Sequence, residues 1–290
     1  MQSPPARTGR GRAHRGLPPP LLVLGAVCSV QFGQAWGKHL FGVVGPAGVV
    51  TLRLGLAAAV LLALWRPRIP AGWRPRGLIV GFGTAIAAMN IIYPALRYLP
   101  LGVAVSLQLL GPFTVALAGS RRPRDVVWAL LSGAGVLLLC APSGPAPPLV
   151  GVGLALLSAA GMGGYLLLSR RAGELAADGA PLALAVAWAA VLALPFGIAE
   201  SGTALLSTAA LLPGLGLALL SAVVPYSLEL MALRRLPPRA VGVMQSLEPA
   251  VGAAAGLLLL SEVLADRQVA GLCCVTLASA GAVLTRGRGG

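Results

Sequence analysis

Charge is scarce in this chain, and acid most of all. Only 10% of the 290 residues are charged, eight of them Asp or Glu, and aromatic residues make up 5%. Soluble domains average about 25% charged residues. Histidine occurs twice, at His14 and His39, and no aspartate lies well inside an apolar stretch. That removes the Ser/His and paired-Asp arrangements of intramembrane hydrolysis and the Asp-rich magnesium motifs of prenyl transfer. No GxSxG and no Walker loop is present, so neither an α/β-hydrolase nor an ATP-driven pump is encoded here. The four cysteines, Cys28, Cys140, Cys273 and Cys274, have no CxxC spacing. They offer no disulfide framework and no zinc site, and neither a metal nor a cofactor is expected.

Hydrophobic residues make up 57% of the chain, with a mean hydropathy of +0.85. Apolar stretches run near 20–37, 45–65, 77–96, 101–119, 125–141, 149–168, 181–199, 211–232, 240–260 and 268–285. Most are about long enough to cross a hydrocarbon core of ~30 Å, which predicts ten transmembrane helices. The chain also holds 22 Lys and Arg, an excess that in a soluble protein would suggest nucleic acid. Its distribution points elsewhere. With the N-terminus in the cytoplasm, the cytoplasmic stretches hold Arg7, Arg10, Arg12 and Arg15; Arg66, Arg68, Arg74 and Arg76; Arg121, Arg122 and Arg124; Arg170 and Arg171; Arg234, Arg235 and Arg239; and Arg286 and Arg288. Lys38, Arg97 and Arg267 are left for the opposite face, and Arg53 lies within a span. This is the positive-inside pattern, with both termini cytoplasmic and no nucleic-acid partner. Residues 1–19, rich in Arg and ending in a proline run, read as a disordered basic cytoplasmic tail.

ALRYLPLGVAVSLQLLGP (Ala95 to Pro112) matches ALRRLPPRAVGVMQSLEP (Ala232 to Pro249) without a gap at a constant offset of 137. Arg97/Arg234, Pro100/Pro237, Gln108/Gln245 and Pro112/Pro249 coincide, and none of these is explained by shared apolar bias. The chain reads as a duplication, 20–141 and 149–286, with five spans in each half. An odd number of spans turns the second half over in the membrane. The predicted fold is therefore an all-α membrane protein of ten helices in two inverted five-helix repeats, with a substrate site near the midplane.

A carboxylate inside a span costs about 2.5–3.5 kcal/mol on insertion scales, so Glu248 is expected to face protein or a wet cavity. Pro249 beside it weakens the helix and is expected to free the Met244 carbonyl. Gln245 extends this polar stripe, and Gln108 with Pro112 supplies a related one in the other half. Two such stripes facing each other would accept an amine and a polar side group. Glu229 is the second buried acid. Arg53 has two readings: it pairs with an acid or a carbonyl cluster and locks helices together, or it holds a substrate carboxylate in its planar fork. Asn90 with Tyr93, and Gln31 with Gln34, form short polar stripes that either bridge helices or meet ligand. Tyr226 adjoins Pro225, where backbone is expected to open. A passive channel or a structural membrane protein is the rival to a transporter.

SVQFGQAWGKHLF (Ser29 to Phe41), GPAGVVTLRL (Gly45 to Leu54), MNIIY (Met89 to Tyr93), SRRPRDVVW (Ser120 to Trp128), LSEVLADRQVAG (Leu260 to Gly271) and above all VPYSLELMALRRLPPRAVGVMQSLEPAVG (Val224 to Gly252) resemble the EamA-type branch of the drug/metabolite transporter superfamily. Within it the likeness is to bacterial inner-membrane exporters of threonine and homoserine. The resemblance implies export of a small amino acid by alternating access with proton exchange, and it makes Lys38 a candidate gate residue. It also implies a glutamate where the fourth span carries Gln108, so a titratable group at that position is not shared. Ten spans suffice for a monomer with a central cavity, and a homodimer is equally compatible.

Overall fold

The computed structural model describes residues 18–118, 123–140, 148–175, 179–233, 236 and 238–286. The predicted tail up to residue 17, and Arg121, Arg122, Arg234 and Arg235 of the topology reading, lie outside the described residues. In an apolar solvent every backbone N–H and C=O must be satisfied internally, and regular structure among the described residues is accordingly all helical. The first half comprises α1 (Pro19–His39), α2 (Phe41–Trp65), α3 (Trp73–Met89), α4 (Ile92–Ala95), α5 (Leu101–Gln108), α6 (Leu110–Ala118) and α7 (Pro123–Cys140). The second comprises α8 (Leu149–Gly173), α9 (Ala180–Ser201), a 3-10 turn (Gly202–Leu206), α10 (Thr208–Ala218), a π-helical turn (Leu219–Val223), α11 (Val224–Leu233), α12 (Pro238–Gln245), α13 (Glu248–Leu260) and α14 (Asp266–Arg286).

By length and composition, six helical segments among the described residues are apolar enough to cross a membrane: Phe41–Trp65, Trp73–Ala95, Leu149–Gly173, Ala180–Leu206, Thr208–Glu229 and Val243–Leu260. Leu101–Val115 and Val126–Leu139 are shorter apolar helices. The other two long helices, α1 and α14, have 21 residues each and carry Lys38 and His39, or Asp266 and Arg267, near one end. Prolines set many of the boundaries. They open α7 and α12, stand in the first turn of α1, α9 and α13, and immediately precede α5 and α8. A missing N–H costs nothing at these positions.

The offset of 137 found in the sequence recurs in the elements. α5 ends at Gln108 and α12 at Gln245, and each is followed by a short break and a second helix. Principal packing pairs also map onto one another when the halves are exchanged: α2 on α9 and α7 on α14 are their own counterparts, α3 on α8 corresponds to α1 on α11, and α6 on α8 corresponds to α1 on α13. Glycine permits the closest of these approaches. A Cβ on Gly111 would lie 1.9 Å from the Ala159 carbonyl oxygen, so α6 and α8 meet backbone to backbone.

Candidate functional site

Pro94, Pro112, Pro225 and Pro249 each withhold the N–H that would bond the carbonyl four residues earlier. Those earlier residues are Asn90, Gln108, Ser221 and Gln245, and all four line one cavity. The prolines inside α2, α9 and α10 (Pro46, Pro195 and Pro213) follow Gly42, Val191 and Ala209, none of which lines it. A polar residue four places before a proline is thus the local signature of the site. The helix breaks fall at these positions too: α3 ends just before Asn90, α5 ends on Gln108, the π-turn contains Ser221, and α12 ends on Gln245. The Met244 carbonyl is not freed as expected; it accepts the Leu247 N–H at 3.1 Å. Counting four back from Pro249 leads to Gln245 instead.

The cavity measures about 90 Å³, space for on the order of six water molecules. On one side stands Arg53, buried at 4% exposure. Its Nε donates to Ser221 Oγ at 2.7 Å, its Nη2 to the Ser221 carbonyl at 2.7 Å, and its Nη1 to Asn90 Oδ1. The guanidinium carbon lies 5.8 Å from the Tyr93 ring centroid, within cation–π range. Asn90 is held in turn by its Nδ2 donating to the Ile86 carbonyl at 2.7 Å. Among the described residues no carboxylate lies within ion-pair distance of Arg53. Its partners are oxygen acceptors on neighbouring helices, the carbonyl form of the helix-locking reading, and not an acid.

Elsewhere on the wall are the two acids, Glu229 and Glu248, both half-buried. Gln245 Nε2 donates to Glu229 Oε1 at 2.9 Å. Gln108 is turned partly into the helix contacts, its Nε2 donating to the Met89 carbonyl at 2.9 Å and to Ser158 Oγ at 2.6 Å. Val23, Ala26, Val27 and Val30 of α1, spaced along one helix face, give the cavity an apolar side, and Met89 and Met162 extend it.

Of the residues singled out from the sequence, Arg53, Asn90, Tyr93, Gln108, Tyr226, Glu229, Gln245 and Glu248 come together around this cavity. Gln31 does not line it. It is 1% exposed and faces Gly252 of α13, where an added Cβ would stand 3.1 Å from its Oε1. Gln34, one turn on, does line it, and its side-chain oxygen is buried without a partner. Ser221, Tyr165 and Met162 also contribute and were not anticipated. The spacing of Ser221 to Pro225 could have found the first of these; nothing in the pattern around Tyr165 and Met162 sets them apart from core.

Lys38 does not line the cavity; it stands about one helical turn beyond Gln34, at the end of the bundle where α1 turns into α2 and α4 leads into α5. There it pairs with Glu262, which follows α13, and the second carboxylate oxygen of Glu262 accepts the Leu101 N–H at the start of α5, at 2.7 Å. A matching clamp lies nearby in the chain. Glu200, at the end of α9, accepts the Ala47 N–H at 2.6 Å and pairs with Arg97 at 3.7 Å. Gly45 makes room for it: φ is +64° there, and a Cβ would lie 2.4 Å from the Glu200 carboxyl carbon. Each carboxylate comes from the second half and grips a cation and a helix start of the first. Ala47 is six residues before Arg53 on α2, which at 1.5 Å per residue puts the Glu200 clamp about 9 Å along the helix from that cavity residue.

The second half, residues 149–284, matches the model of the EamA-like transporter family. Over 274 residues, covering 92% of each chain, the sequence is 39% identical to the threonine/homoserine exporter RhtA of Salmonella typhimurium and 38% identical to that of Escherichia coli. The chain belongs to the EamA-like transporter family. A crystal structure of a protein at 20% sequence identity superposes with a TM-score of 0.63 over 93% of this chain and 98% of its own, a likeness of fold. As an EamA-like transporter the chain is a multi-pass membrane protein acting on a small molecule within lipid, and it is not an enzyme. Among its described residues no three His, Cys, Asp or Glu side chains gather as a metal site would require.

Proposed function

We propose that this transporter is a secondary active exporter of small zwitterionic amino acids of the threonine and homoserine kind, working by alternating access in a bacterial cytoplasmic membrane with both termini in the cytoplasm. The observation that carries the reading is Arg53: a buried guanidinium with no carboxylate partner among the described residues, sharing a cavity with two acids. Neutral oxygens hold it without cancelling its charge, which leaves that charge for an anion from outside the protein. A substrate carboxylate would meet the Arg53 fork, and its ammonium group would face Glu229 and Glu248, with Gln245 holding the first of these. The α1 valines leave room for a short aliphatic side chain. Proton exchange would run through Glu248 or Glu229.

Ten spans in two inverted halves fit this reading. The bounds of α5 and α12 repeat at the offset of 137, and principal packing pairs exchange with the halves, as expected where two bundles rock about a central site. Lys38–Glu262 and Arg97–Glu200 tie the halves together at one end, which the positive-inside pattern makes the periplasmic one; this gives Lys38 its gate role. A passive channel would not need such clamps.

The test is threonine counterflow in proteoliposomes. Labelled threonine should accumulate transiently against unlabelled threonine or homoserine, and Arg53→Ala should abolish the signal in protein of normal yield and monodispersity. Counterflow that survives Arg53→Ala unchanged refutes the site. In cells, export that proceeds uphill and collapses with an uncoupler separates a coupled exporter from a channel.

A further inference from the structure

The π-helical turn Leu219–Val223 has a backbone account that the transport reading leaves unused. The Val224 N–H bonds back to the Leu219 carbonyl, five residues earlier, and Pro225 has no N–H at all. The next two carbonyls in line, those of Leu220 and Ser221, turn to side chains of neighbouring helices: Ser29 Oγ of α1 donates to the first, and Arg53 Nη2 of α2 to the second. Buried carbonyls must be satisfied somewhere, and here the defect assigns one of them to a cation. The Ser221 hydroxyl completes the grip by accepting from Arg53 Nε while donating to the Leu217 carbonyl at 2.7 Å. Gly33 of α1 lets the turn approach; a Cβ there would lie 2.8 Å from Ser221 Cβ.

Arginine carries five N–H donors in a rigid plane. Ser221 takes one edge of that plane through Nε and Nη2, and Asn90 takes a further donor on Nη1. One donor on each terminal nitrogen remains, at the end of the fork that also meets the Tyr226 hydroxyl. We infer that Ser221 and Pro225 are positioning residues: the proline releases the Ser221 carbonyl so that serine can hold Arg53 by its side edge, with the opposite end of the fork presented to a planar two-oxygen group. This rests on the reading of Arg53 as the carboxylate holder. It adds that discrimination between carboxylate and its neutral analogue depends on residues that act through Arg53.

The experiment compares inhibition of labelled threonine counterflow by threonine and by threonine amide, in Pro225→Ala, Ser221→Ala, Ser221→Thr and Arg53→Lys. Pro225→Ala restores an N–H that competes with Arg53 for the Ser221 carbonyl; Ser221→Ala removes the Nε acceptor. Both should raise KM for threonine at least tenfold with maximal rate within about twofold, and both should cut the preference for threonine over its amide by a similar factor. Ser221→Thr, which keeps the hydroxyl, should retain most of the preference. If Arg53→Lys erases the preference while Pro225→Ala and Ser221→Ala keep it, the positioning role is wrong and the carboxylate reading stands. If Arg53→Lys also keeps it, both fall. Should Pro225→Ala fail to fold, Ser221→Ala against Ser221→Thr decides alone.

Discussion

Removing the Glu262 carboxylate should open the end of the bundle that it clamps. One of its oxygens meets Lys38 and the other accepts the Leu101 N–H at 2.7 Å, with the two side chains only 24% and 15% exposed for Lys38 and Glu262 respectively. An exposed ion pair is worth at most about 1 kcal/mol and breaking a fully buried one costs about 3–5, so this half-covered pair contributes about 1–2 kcal/mol. A charged acceptor on a helix-starting N–H adds about 1–2 kcal/mol. Glu262→Ala loses both, about 2–4 kcal/mol, which shifts the closed-to-open equilibrium roughly 30- to 900-fold. Lys38→Met leaves the Leu101 contact in place and should shift it only roughly 5- to 30-fold. The assay replaces the four native cysteines, introduces Ala26→Cys on the cavity wall, and follows modification by a membrane-impermeant maleimide added to intact cells. The modification rate should rise at least tenfold in Glu262→Ala and less in Lys38→Met. Parental rates in both variants, with normal expression and melting behaviour, would refute the clamp.

Three further outcomes follow from the geometry. Gly111→Ala drives a Cβ to 1.9 Å from the Ala159 carbonyl; prising α6 from α8 should cost about 1–3 kcal/mol or more, seen as a lower Tm of the detergent-solubilised protein. Gly33→Ala pushes on the π-turn at 2.8 Å from Ser221 Cβ and should reproduce the Ser221→Ala rise in KM. Glu248→Gln should flatten the pH profile of threonine export if that carboxyl carries the exchanged proton; an unchanged rate and profile would leave Glu229 as the carrier to test.

Much of this was legible in the chain because membrane solvent makes polar residues conspicuous. Arg53, Glu229, Glu248, Gln245 and Asn90 stand out among apolar neighbours, and the cost of leaving them in lipid brings them inward. Gln31 and Gln34 show where that reasoning stops. Both are buried, three residues apart, yet only Gln34 lines the cavity, since helix periodicity gives a face without saying which neighbour it meets. Span counting fared less well than pattern: prolines cut the third, fourth and ninth predicted spans at Asn90, Leu109 and Ser246–Leu247, so hydropathy windows ran across breaks that the backbone does not. Ser221 was passed over because a lone serine in a transmembrane helix usually bonds back to its own turn, as its hydroxyl also does here. The clamps at Glu200 and Glu262 escaped because pairing between residues more than 100 positions apart leaves no local trace.

Four interrupted helices give the cavity a lining that is partly main chain. Substitution can remove a side chain but not a peptide group, so the backbone acceptors that prolines leave at such a wall do not depend on which side chains surround them. A change of cargo could then be made in the side chains alone, over a main-chain frame that stays as it is.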